Sequence, residues 1–326
     1  MKKILFIAAL LTVHCKSYCW GFFAHKKINN YAVFLLPPQM LVLYKPNIDF
    51  LTTHAVDPDM RRNVVADEAP RHYIDIDNYG TYPYPELPRK WSDAVAKFGE
   101  DTLLANGIVP WHVQTMLYRL TDAFKAKNFT AIMKNSADIG HYIGDAHVPL
   151  HTSSNHNGQL TGQRGIHGFW ESRVPELLAD REFDFFIGKA QYISNPGKYI
   201  WDRVLESAKA ADSVLLFERE LTKQFGSDKK YAFETRNNVL VRQYSSAFTI
   251  AYNKKLDGMV ERRMRLAILS VASFWYTAWV NAGQPDLTEL AKQKFSEADL
   301  KEYEKLNEAW RNGKPKGREH EETPLP

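Results

Sequence analysis

The sequence predicts an all-α fold in a single domain. Three observations carry that expectation. Apolar residues recur at helical spacing over most of the chain, strand signals are scarce, and the 307 residues after position 19 contain neither an internal repeat nor a Gly/Ser linker. A chain of that length, rich in aromatic residues, can bury a large core as one unit.

The elements follow in order. Residues 1 to 19 read as a secretory leader: Lys2 and Lys3 give a basic start, "ILFIAALLTV" is an apolar core of ten, and Ser17 and Cys19 are small residues at the −3 and −1 positions. That core is too short to span a bilayer, so the leader is expected to be cut between Cys19 and Trp20, giving a secreted or periplasmic protein without a transmembrane anchor. The spacing then predicts helices over 28 to 44, 111 to 127, 130 to 147, 197 to 224, 231 to 252 and 256 to 280. "TYPYPELP", 81 to 88, has three prolines and is loop, as is "TSSNHNGQLTGQRG", 152 to 165. The run Leu266 to Val280 is the most apolar segment after the leader, but its 15 residues fall short of the roughly 20 a spanning helix needs. It reads as a buried core helix. The domain is expected to cover 20 to 305, and residues 306 to 326 to form a polar, disordered tail.

Composition narrows the functional classes. The leader holds three of the 42 basic residues and no acidic one, which leaves 39 against 38. A near-neutral chain does not suit a protein that coats nucleic acid electrostatically. Both cysteines, Cys15 and Cys19, lie in the leader, so no disulfide framework is available beyond it.

Ligand-type residues crowd between 57 and 171. His141 and Asp145 stand four apart on one predicted helix and so share a face. Pro149 ends that helix and His151 follows. In "HGFWE", His167 and Glu171 again stand four apart. With His25, His72, Asp57 and Asp59 added, nitrogen and oxygen ligands recur at helical or turn spacing, as they would around metal ions in a shared cavity.

The segment "HYIGDAHVPLH", 141 to 151, resembles the H-x-I-G-D-x-H-x-P-L-H stretch of the zinc-dependent nucleases typified by the fungal single-strand nucleases S-one and P-one. It resembles more loosely the bacterial zinc-dependent phospholipases C, which share their helical fold. The likeness extends to "WGFFAH" at 20 to 25, "DPDMRR", "HYID" at 72 to 75, and "HGFWE", and so covers residues 20 to 176. The resemblance implies three zinc ions. One is held by Asp59, His72, His141 and Asp145, a second by His151, His167 and Glu171. The third takes the α-amine and carbonyl of Trp20, with His25 and the other oxygen of Asp145. Asp57 is the alternative to Asp59: it has a nuclease-like interval to His72, whereas Asp59 has the D-x-x-basic pattern. The implied activity is hydrolysis of a phosphoric ester by a water that the zincs acidify.

The substrate expected from the resemblance is single-stranded nucleic acid or nucleotides, in a nuclease or 3′-nucleotidase reaction. Asp75 stands where the nucleases carry an aspartate beside the attacking water. Tyr73 is either a stacking platform for a base or a packing residue. His147, present in the nuclease pattern, is expected to hold a ligand in place without touching zinc. Glu171 and Ser172 point the other way, toward a phospholipase C cleaving phospholipid headgroups, because the nucleases carry aspartate and asparagine there. A reading from another class is a helical binding protein that zinc merely stabilises. Nothing in the sequence points to a protein partner.

Overall fold

The computed structural model describes residues 21–236 and 239–313. In chain order its helices are α1 (Phe22–Val33), α2 (Pro38–Tyr44), α3 (Ile48–Thr53), α4 (Asp57–Arg61), α5 (Trp91–Phe98), α6 (Glu100–Asn106), α7 (Val109–Lys125), α8 (Phe129–Ala146), α9 (Ile166–Gly168), α10 (Val174–Glu182), α11 (Pro196–Phe225), α12 (Ser227–Lys230), α13 (Ser246–Lys255), α14 (Met259–Asn281) and α15 (Glu297–Asn312). One antiparallel hairpin, β1 (Tyr231–Arg236) and β2 (Val239–Tyr244), stands among them. The fold is mostly helical, as the sequence predicts, and no described helix is long and apolar enough to cross a membrane.

Local chemistry sets the boundaries. The expected helix over 28 to 44 is two helices, because Pro37 and Pro38 remove backbone donors and exclude the preceding residues from helical geometry. Asn128 caps α8 by accepting the Ala131 N–H at 3.0 Å, and Asn195 caps α11 by accepting Lys198 N–H at 2.9 Å. The expected helix over 231 to 252 is instead the hairpin followed by α13, which Ser245 caps. Tyr231, Phe233, Thr235, Val241 and Tyr244 are aromatic and β-branched residues that suit extended backbone, and Tyr231 pairs with Tyr244 across the two strands. The loops at 81 to 88 and 152 to 165 are loops, with short 3₁₀ turns beside them. At the C-terminal end α15 continues to Asn312, past the expected boundary at 305; residues 314 to 326 lie outside the described residues.

The core forms where α1, α7, α8 and α14 meet. Trp275 of α14 is fully buried and its indole N–H donates to Ser136 O at 3.0 Å, so the helix that carries the apolar run 266 to 280 is fastened to α8. Helices α1 and α8 approach closely through glycine. A Cβ on Gly140 would lie 2.0 Å from Asn29 Oδ1, and one on Gly144 would lie 3.1 Å from the His25 ring. Those two glycines let α1 carry His25 onto the face of α8 that holds His141 and Asp145.

Candidate metal centre

Helix α8 supplies the middle of the site. His141 and Asp145 are one turn apart, both fully buried. Asp145 Oδ2 lies 3.0 Å from His72 Nδ1 and 3.3 Å from His141 Nε2, while Oδ1 lies 3.4 Å from His25 Nε2 and 3.7 Å from His151 Nδ1. The His25 and His141 rings stack, their centroids 3.9 Å apart. Asp59 Oδ1 is 3.6 Å from both His72 Nδ1 and His141 Nε2. Farther along, Glu171 Oε2 is 3.0 Å from His167 Nε2 and 3.5 Å from His151 Nε2.

Three buried groups therefore can each hold a metal ion: His25, His141 and Asp145; Asp59, His72 and His141; and His151, His167 and Glu171. Within each, the ligand atoms lie within 4.8 Å of one another. The residues fit a cation. Both carboxylate oxygens of Asp59 are buried with no hydrogen bond, a costly arrangement for an anion unless a cation offsets it. The donor set is imidazole and carboxylate without cysteine, which suits a borderline divalent metal.

Backbone contacts aim the rings. His141 Nδ1 donates to Ala55 O at 2.9 Å, His151 Nδ1 to His72 O at 2.5 Å and His167 Nδ1 to His156 O at 3.0 Å. The last contact gives the 152 to 165 loop a purpose. Its Asn157 side chain accepts the Gly165 N–H at 2.9 Å, which holds the loop folded against α9. Glu171 lies in a single π-turn, Phe169–Arg173, braced from outside by the hairpin: Arg173 donates to Glu234 Oε2 at 2.6 Å and to Tyr244 O at 3.2 Å. π-turns of this kind concentrate at functional sites.

The charges are mutually supporting. Burial alone would lower the His141 pKa, but the Asp145 and Asp59 carboxylates outweigh it and push it up to about 9. Burial acts to raise Asp145, yet His141 and His151 hold it well below the ordinary carboxylate range. His25 is lowered by burial and by the neighbouring His141.

The remaining candidates fall into place or out of it. Asp57 belongs to none of the three groups; its Oδ2 lies 2.8 Å from His54 Nδ1, so the turn at Pro58 directs Asp59 inward and Asp57 toward His54. Trp20 lies outside the described residues. The next residue, Gly21, is fixed: its N–H donates to Ser172 Oγ at 3.1 Å, and a Cβ there would sit 2.6 Å from that oxygen. Asp75 is 9% exposed and its N–H donates to Asn106 O at 2.7 Å. It joins no ligand group. Tyr73 is packed rather than presented: it is 4% exposed, its hydroxyl donates to Ala105 O at 3.3 Å, and its ring fills the space that a Cβ on Gly107 would take. His147 does not bond to a ligand side chain. Its Nδ1 donates to Ile143 O at 2.7 Å and its Nε2 meets Ser270 Oγ at 3.1 Å, so the ring ties the end of α8 to α14.

No family model and no curated protein sequence matches this chain. Two cavities elsewhere, of about 740 and 550 Å³, are lined by none of the residues in the three groups. In the larger one the Trp111 indole N–H is engaged with Arg89 O at 2.8 Å and Lys198 with Asp202 at 2.6 Å. Missing from the sequence reading was Glu68, which stands behind His72 at 3.6 Å. Its signal was available: Glu68 and His72 are four apart, the same spacing that exposed the other pairs.

Proposed function

We propose that the chain is a zinc-dependent phosphoric ester hydrolase acting on single-stranded nucleic acid or nucleotides. The observation that carries the reading is the convergence of three buried nitrogen–oxygen ligand groups, with Asp145 reaching all of His25, His72, His141 and His151. When bound, zinc supplies Lewis acidity that lowers the pKa of water and offsets charge on phosphoryl oxygens.

The residues divide the work. Asp59, His72, His141 and Asp145 would hold one ion; His151, His167 and Glu171 a second; His25 and Asp145, with the Trp20 amine, a third. That amine exists only after cleavage between Cys19 and Trp20, and export to the periplasm or beyond is part of the proposal. A free α-amine, with a reference pKa of about 8, can ligate near neutrality whereas a peptide nitrogen cannot. The Ser172 anchor on Gly21 supports it, since it fixes the residue that follows the amine. Asp75 would orient the attacking water and take its proton at a carboxylate oxygen.

A phospholipase C reading keeps one specific support. Ser172, where the nucleases carry asparagine, is engaged with the Gly21 backbone rather than offering an amide to a base. The test is hydrolysis of an activated phosphodiester by zinc-loaded protein with and without chelator, then parallel assays on single-stranded DNA, 3′-nucleotides and phosphatidylcholine. Chelator-sensitive release of nucleotides or phosphate is the expected outcome. Preferential release of diacylglycerol selects the lipid reading, and no turnover on any phosphoester by folded, zinc-loaded protein leaves a purely structural role for the metals.

A further inference from the structure

His72 is held differently from the other histidines of the centre. A carbonyl oxygen can only accept a hydrogen bond. The Nδ1 atoms of His141, His151 and His167 each face one, so each carries its proton on Nδ1 and turns the Nε2 lone pair to its group. His72 is reversed: its Nδ1 faces Asp145 Oδ2 at 3.0 Å, His141 Nε2 at 3.1 Å and Asp59 Oδ1 at 3.6 Å. To ligate through that atom, the ring must keep its proton on Nε2. Nε2 is buried and makes no hydrogen bond in this structure; the group beside it is not a carbonyl but the Oε1 of Glu68, 3.6 Å away, a few tenths of an ångström beyond hydrogen-bond reach.

Glu68 is fully buried, and its carboxylate is fixed from several sides. Oε1 accepts the Tyr142 hydroxyl. Oε2 accepts Arg71 Nη1 at 2.7 Å and lies 3.6 Å from Arg61 Nε. Arg61 in turn grips Asp138 with two hydrogen bonds, at 3.2 and 2.9 Å, and donates to the Tyr142 hydroxyl at 3.2 Å. A buried carboxylate with this many partners cannot swing away. Tyr142 also follows His141 in the chain, so one network stands behind two candidate ligands of the same ion.

We propose that Glu68 is a positioning residue of the metal centre: with the ion bound, the 3.6 Å gap closes, its carboxylate accepts the Nε2–H of His72, and the tautomer whose Nδ1 ligates is thereby selected. Carboxylate partners of this kind both orient a metal-bound imidazole and raise its basicity. The inference rests on the metal-binding part of the function proposed above and is independent of the substrate.

The experiment compares zinc affinity of the wild-type protein and Glu68→Gln by competition with a coloured chelator, on samples whose circular dichroism confirms an unchanged helix content. Glutamine keeps the shape and removes the charge, and the expected result is roughly 10- to 100-fold weaker zinc binding. A second measurement needs no variant. Long-range ¹H–¹⁵N correlation spectra of the zinc-loaded wild-type protein are expected to show His72 protonated on Nε2 while His141, His151 and His167 are protonated on Nδ1. Equal affinity in E68Q, or a His72 proton on Nδ1, overturns the role of Glu68 alone. A wild-type protein that takes up no zinc overturns the metal-centre reading and this proposal together.

Discussion

Asp145 is the residue on which the centre turns. Its two oxygens face four imidazoles from three separate stretches of chain, so replacing one oxygen by an amide removes charge from all of them. Asp145→Asn is expected to lower zinc content and to cut phosphodiesterase activity by more than the roughly 10–100-fold that contacts behind a ligand carry; metal analysis with unchanged stoichiometry would refute the bridging role. His112 reports on a different property. Burial, with the Arg71 cation nearby, pushes its pKa down to about 3 from the ordinary 6.5. A histidine with a depressed native pKa binds its proton in the unfolded chain first, so stability is full above pH 6.5 and declines as pH falls toward 3. The slope is at most about 1.4 kcal/mol per pH unit. Thermal unfolding of metal-free protein and of His112→Gln across that window checks this: the advantage of the wild type should shrink with acidification, and a constant gap would sink it.

Helices bring these residues together, and the glycines of α8 decide how close. Gly140→Ala would drive a methyl group into the Asn29 side chain, whose amide donates to Leu51 O at 3.2 Å and Ala137 O at 3.1 Å. A loss of about 3 kcal/mol in chemical denaturation is expected, from overpacking plus broken buried hydrogen bonds; a neutral result would mean that α1 can shift without cost. At this scale the sequence was legible wherever spacing carried the message. His141 with Asp145, and His167 with Glu171, announce themselves because four residues make one helical turn. The choice between Asp57 and Asp59 did not, since a turn at Pro58 permits either and only His54, packed from the side, separates them. The hairpin was hidden for a related reason. Tyr244, Phe248 and Tyr252 stand four apart, and that true helical signal from α13 extends backward over two six-residue strands that carry no alternation of their own. The contact of His147 with Ser270 joins α8 to a helix far along the chain, which no local pattern reveals.

For the whole molecule, the candidate ligands come from α1, α4, the turn before Tyr73, α8, the turn at Pro149–Thr152, and the α9 and π-turn segment. Ions bound there favour the folded state by mass action, by about 4 kcal/mol at a thousandfold excess over the dissociation constant. A midpoint of thermal unfolding that rises with zinc concentration and falls with chelator is therefore expected, and a midpoint indifferent to both would count against occupied sites. The geometry also bears on how a mostly helical chain without cysteines after position 19 is kept together. Each ion would close loops between segments tens of residues apart, removing conformational entropy from the unfolded chain as a covalent cross-link does. Reversible staples of this kind differ from disulfides in one respect: they are lost to metal scarcity rather than to reductants, so withdrawal of the ion would empty the centre and loosen the scaffold in the same step.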